Sequence, residues 1–141
     1  MNSTTFNLAR FVQAQAPVFE SVCAELAAGR KRTHWMWFVF PQLAPLGRSA
    51  TARYYGIEGY DEAAAYWRHD VLGPRLTRCA TLVLAVPGKT AHEMLGSPDD
   101  LKLRSCMTLF EFVAAQETVF GRVLIKYFDG LRDEATLALL G

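Results

Sequence analysis

The sequence predicts a mainly α fold: a single compact multi-helix domain over residues 1–141, with room for no more than a minor short strand pair. Apolar residues recur at three- and four-residue spacing along most of the chain, the period of a half-buried helix. Ser, Thr or Asp precedes several of these runs and Gly or Pro follows them, as helix starts and stops require. Strand signals are sparse, with no Asn-Gly turn and no alternating run longer than a few residues.

Between Asn7 and Ala28, the residues Leu8, Phe11, Val12, Gln15, Phe19, Val22 and Leu26 fall three or four apart. Pro17 removes a backbone donor from this stretch, so two helices or a kink are expected, with Pro17 in the first turn of the second piece. Gly29 is a natural stop. The run Trp35 to Phe40 is apolar on every face, and its periodicity fits a buried strand or a short buried helix equally. Thr33 is a candidate N-cap for it. Pro41, Pro45 and Gly47 predict a loop, then Ser49 to Tyr55 a short helix ended by Gly56. Asp61 is expected to cap the next helix, which runs through Trp67. Pro74 opens another, with Leu76, Cys79, Ala80, Val83 and Leu84 as its stripe, stopping at Pro87-Gly88. Both Thr90 to Glu93 and Ser97 to Asp100 have capping-box spacing. The second opens a central helix with Leu103, Met107, Phe110 and Ala114 on one face. A helix from Thr118 to Phe128, a turn at Asp129-Gly130 and a helix from Glu134 to Leu140 capped by Asp133 complete the chain.

Composition excludes several classes. Hydrophobic residues make up 51% and charged residues 21%, the balance of a folded domain rather than a disordered one. A net charge of +1, from 15 Lys and Arg against 14 Asp and Glu, argues against general nucleic-acid binding. No apolar stretch reaches the roughly 20 residues a membrane span needs, and Met1 to Thr5 does not begin a signal peptide. A cytoplasmic protein with no membrane association is expected. Cys23, Cys79 and Cys106 are odd in number and far apart, which predicts free buried thiols. They share no metal-ligand spacing with His34, His69 or His92, so no metal is expected. Gly-x-Gly-x-x-Gly, Walker, Gly-x-Ser-x-Gly and His-Glu-x-x-His motifs are absent from the sequence, and no cofactor is expected. Oligomeric state is left open.

Three stretches can carry chemistry. In the first, Arg30-Lys31-Arg32 runs into Thr33, His34, Trp35, Met36 and Trp37. Lys31 and Arg32 suit phosphate or carboxylate, Trp35 and Trp37 offer flat faces, and His34 adds a donor–acceptor, a set that fits a small planar anion. The plain alternative is a solvated basic loop followed by an aromatic anchor. In the second, Tyr54 to Glu62 gathers three tyrosines and three acids around two glycines. Here Tyr54 can border a pocket, with Glu62 or Glu58 as a base; equally, Glu62 can serve only a helix dipole. In the third, Asp99 to Thr108, Lys102 can hold a ligand beside the hydroxyls of Ser105 and Thr108, and Asp100 supplies a carboxylate. Asp100 and Arg104 are also spaced to pair at i, i+4, and both hydroxyls can instead bond backbone carbonyls.

The chain resembles the bacterial family catalogued as domain of unknown function 1810. The matching stretches are Ala9 to Gln15, Thr33 to Gln42, Leu72 to Leu76 and Ser97 to Phe110. The resemblance spans nearly the whole chain and implies a mainly helical single domain with no agreed activity. Two positions depart from the family pattern: Cys106 stands where a second serine is usual, and Asp70 where proline is common. A fainter likeness joins Glu62 to Tyr66 and Gly96 to Arg104 to the YbiA-like N-glycosidases. That likeness implies cleavage of a base from a phosphorylated or ADP-ribosylated ribose. Glu62 or Asp100 would then be the catalytic carboxylate, Trp35 and Trp37 the stacking surfaces, and Lys31, Arg32 and Lys102 the anion clamps. The competing expectation is a non-catalytic interaction module using the basic and aromatic surface.

Overall fold

Ten α-helices fold the part of the chain that the structure, a computed structural model, describes: residues 6–141. They are α1 (Ala9–Gln15), α2 (Phe19–Ala27), α3 (Met36–Val39), α4 (Ala50–Tyr54), α5 (Tyr60–Arg68), α6 (Leu72–Ala85), α7 (Ala91–Leu95), α8 (Asp99–Val113), α9 (Val119–Phe128) and α10 (Glu134–Leu140), with a 3-10 turn at Ala44–Leu46. Among the described residues there is no strand. The strand pair allowed for by the sequence reduces to one parallel bridge between Leu43 and Ile57.

The centre of the single helical domain is α8, which packs against α5, α7, α9 and α10, while α6 packs against α2, α5 and α9. Leu103, Cys106, Met107, Leu109 and Phe110 of α8 are all fully buried, as the three-and-four spacing requires. An aromatic chain crosses this core. Phe11 meets Tyr66 edge-on at 5.0 Å, Tyr66 meets Phe110 at 5.2 Å, and Phe110 meets Phe120 at 6.1 Å. Such pairs each add about 0.5–1.5 kcal/mol beyond the area they bury.

Local signals decide several helix ends. Ser49 Oγ accepts from the Ala52 N–H at 3.0 Å, and Asp133 Oδ2 accepts from the Thr136 N–H at 3.0 Å. Both bonds of the Thr90–Glu93 capping box form. At Gly29 (φ +70°), the N–H of Arg30 reaches the Glu25 carbonyl and that of Gly29 the Leu26 carbonyl, a Schellman stop. Four expectations need correction. Pro17 lies in the turn between α1 and α2, with Val18 as the N-cap of α2. Trp35 rather than Thr33 is the N-cap of α3, because the Thr33 hydroxyl is spent on Glu25. Gly59 precedes α5, leaving Asp61 inside the first turn as an acid favourable to the helix dipole. Pro98, with no side-chain bond, takes the cap position expected of Ser97.

Three side chains without an assigned role finish α6. His69 Nδ1 accepts from the Val71 and Leu72 N–H groups at its start. At its end, Lys126 Nζ donates to the carbonyls of Leu84 and Val86, and the Tyr127 hydroxyl to that of Val83. These bonds supply the orphan backbone groups that helix termini leave.

Candidate ligand-binding site

The basic and aromatic junction is organised by Glu25, at the end of α2. Its carboxylate accepts from the Arg32 N–H (2.8 Å), the Thr33 N–H (3.1 Å), the Thr33 hydroxyl (2.7 Å) and the Trp35 indole N–H (2.8 Å). Burial alone would raise its pKa, yet these donors outweigh that cost and hold the carboxyl at about 2. The loop before α3 is therefore fixed. Trp35 is 1% exposed, and Lys31 Nζ lies 5.3 Å from the centre of its ring. Lys31 also pairs with Asp99 Oδ2 at 3.1 Å, and Asp99 Oδ1 faces Lys102 Nζ at 3.8 Å. This chain of charges joins the junction to the start of α8.

Two further polar clusters sit inside the helix packing. Arg10 and Glu62 pair at 3.0 Å, both nearly buried; the guanidinium also donates to the Tyr54 and Gly56 carbonyls, and Glu62 Oε1 accepts the Glu58 N–H. Gln15 donates to the Phe38 carbonyl and to the Tyr66 hydroxyl while Arg75 donates to its Oε1. Burial pushes the Tyr66 hydroxyl well above its usual pKa, and it does the same to the Cys79 and Cys106 thiols. All three cysteines are buried and free, which makes Cys79 and Cys106 inert as nucleophiles.

A cavity of about 370 Å³ opens between the loop before α4, the first half of α8 and the start of α10. Gln42, Arg48, Ser49, Lys102, Ser105 and Asp133 give it polar walls, and Leu46, Ala52, Pro98, Leu101 and Ala135 its apolar ones. The Gln42 amide and the Arg48 guanidinium make no side-chain hydrogen bond or ion pair with the described residues, so both are available to a ligand. Asp133 is engaged: Oδ2 accepts from the N–H and hydroxyl of Thr136, and Oδ1 lies 3.7 Å from Arg104. Next to the cavity, and sharing Gln42, Ala52 and Lys102 with it, is a slot of about 10 Å³ walled by Met36, Trp37, Phe40 and Tyr55. It has room for about one water.

The structure brings only part of the expected set to this cavity. Lys102 and Ser105 line it, and half-buried Trp37 borders the adjoining slot. The Ser105 hydroxyl donates to the Leu101 carbonyl, at 3.3 Å. Thr108 is 1% exposed, donates to the Arg104 carbonyl and accepts from the Asp133 N–H, so it has no ligand to hold. Trp35 is a core residue and presents no open face. Lys31 is tied to Asp99, while Arg32 and His34 are exposed and line none of these cavities. Asp100 turns to His92 Nδ1 at 3.5 Å rather than to Arg104, which pairs with Asp133. Tyr54 and Glu62 border a different cleft of about 270 Å³, with Arg10 and Glu58. Sequence reasoning passed over Glu25, Asp99, Arg48, Gln42 and Asp133. Arg10 and Gln15 gave one signal, being polar residues within stretches that are otherwise part of an apolar helix face.

A small all-helical domain with a cavity of mixed lining beside its central helix is thus the class of protein. The chain belongs to the family described as Protein of unknown function (DUF1810), whose model matches residues 5–140. It is similar to the conserved hypothetical protein Rv1873 from Mycobacterium tuberculosis, known as a crystal structure. The two share 55% sequence identity at a TM-score of 0.95, over 96% of this chain and 97% of that one. No curated protein matches the chain.

Proposed function

We propose that this protein binds a small anionic ligand, nucleotide-like or a phosphorylated ribosyl compound, in the cavity between α4, α8 and α10. One observation carries the reading: Arg48 and Lys102, from separate elements, border the same cavity of about 370 Å³. That size falls in the range of small-molecule sites, roughly 300–1,000 Å³. Arginine offers a planar fork for phosphate and lysine a point charge. The Gln42 amide and the Ser49 and Ser105 hydroxyls are suited to a sugar ring beside the anion.

Hydrolysis of an N-glycosidic bond there would fall to Asp133, the acid in the wall, since Glu62 and Asp100 lie elsewhere. Asp133 already accepts two hydrogen bonds from Thr136, so binding has more support than turnover. The alternative of a non-catalytic module working through the basic and aromatic surface has less. Trp35 is buried, and Trp37 is half-buried at the edge of a narrow slot. A thermal-shift screen against nucleotides, ADP-ribose, NAD and ribose 5-phosphate tests the reading. A ligand present at 100 times its dissociation constant adds about 2.7 kcal/mol. The expected result is a shift with at least one of them that disappears in Arg48→Gln and Lys102→Gln. A flat screen would return the preference to the interaction module.

A further inference from the structure

A second concave surface lies where α5 meets α6, away from every residue of the cavity above. Trp67, Arg68, His69, Asp70, Gly73, Pro74, Thr77 and Arg78 line an open groove of about 630 Å³. Its charge is one-sided, with Arg68 and Arg78 against a single acid, Asp70. Neither arginine forms an ion pair or a side-chain hydrogen bond with the described residues. Lys31, Lys102, Arg104 and Arg132, by contrast, are each tied to a carboxylate.

The groove is also pre-organised. The Arg78 guanidinium rests 5.6 Å from the centre of the Phe19 ring, with Arg75 at 4.9 Å from the same ring. Stacking of this kind restricts the side chain before any partner arrives, which lowers the ordering cost of binding. Trp67 is half-buried and held edge-on by Phe120 at 5.5 Å. His69 accepts through Nδ1 from the Val71 and Leu72 N–H groups, so its other nitrogen is the donor of the ring. Gly73 lets the start of α6 lie close against the end of α5: a Cβ there would stand 2.2 Å from the Trp67 carbonyl oxygen. Backbone and aromatic packing thus fix the groove's shape.

We propose that this groove docks an acidic peptide segment of a partner protein, with carboxylates on Arg68 and Arg78 and an apolar side chain against Trp67. A peptide segment suits it better than an enclosed small molecule, because the groove is open to solvent. The untied arginines favour carboxylates by charge complementarity, and such contacts weaken with salt. The site shares no residue with the cavity of the proposed function, so each stands or falls alone.

Fluorescence anisotropy of a labelled Glu/Ala/Leu peptide, with a Lys/Ala/Leu peptide as control, tests it on the full chain. The acidic peptide should bind at low salt, lose at least about tenfold in affinity on moving to high salt, and lose it again in the Arg68→Gln, Arg78→Gln double variant. Lys102→Gln should bind as the wild type does. The charge-swapped Arg68→Glu, Arg78→Glu variant should instead take up the basic peptide, a gain that unfolding does not mimic. Unchanged affinity in the glutamine variant would overturn the proposal. So would amide chemical-shift changes centred on Trp67 to Arg78 on adding inorganic phosphate, with no peptide binding.

Discussion

Glu62 and Glu25 show how one carboxylate type takes two roles by its partners. Glu62 neutralises Arg10 where both are nearly buried, 3.0 Å apart. Glu62→Ala strands that guanidinium and should cost about 3–5 kcal/mol, read as a lower urea midpoint. A Glu62→Gln protein of wild-type stability would show that the pair is not structural. Glu25 instead serves as a backbone anchor with its folded-state pKa lowered from 4.5 to about 2. A depressed pKa means that the contribution is whole above pH 4.5 and is lost as pH falls toward 2. Glu25→Gln should therefore melt below the wild type at neutral pH, with the gap closing across that acidic window. A gap that widens on acidification would contradict the assignment. Neither role was readable from spacing. The donors to Glu25 lie seven to ten residues on, across a loop, and Arg10 is 52 residues from Glu62.

At the scale of elements, local chemistry was readable and tertiary competition was not. The Thr90–Glu93 box, the Ser49 and Asp133 caps and the Gly29 stop each depend on residues within a turn of one another, which sequence displays. Thr33 failed as a cap because Glu25, on another helix, takes its hydroxyl. The aromatic run from Trp35 to Phe40 gave no period, since every residue in it is apolar; packing made its middle a helix. Gly29 offers a direct check. Its φ of +70° disfavours any side chain, and a Cβ would stand 2.9 Å from Val86 Cγ1. Gly29→Ala should cost more than about 1 kcal/mol by thermal unfolding. A neutral result would mean that the Schellman stop does not hold the α2 end.

Over the whole molecule, the central helix α8 links core and cavity. Its inner face carries Leu103, Met107 and Phe110, while Leu101, Lys102 and Ser105 look into the cavity. Of the residues that sequence singled out, the fold gathers Lys102 and Ser105 there and leaves Trp37 at its edge. Arg48 and Gln42 join from a loop more than 50 residues earlier, a closeness that only the assembled helices create. The ligand proposed for this cavity is a phosphorylated one. Amide chemical-shift mapping during titration with ADP-ribose tests it most directly. The largest shifts are expected at Gln42, Arg48, Ser49, Lys102 and Ala135, with their loss in the Arg48→Gln, Lys102→Gln double variant. Shifts centred on Trp67 to Arg78, or none at saturating ligand, would contradict it.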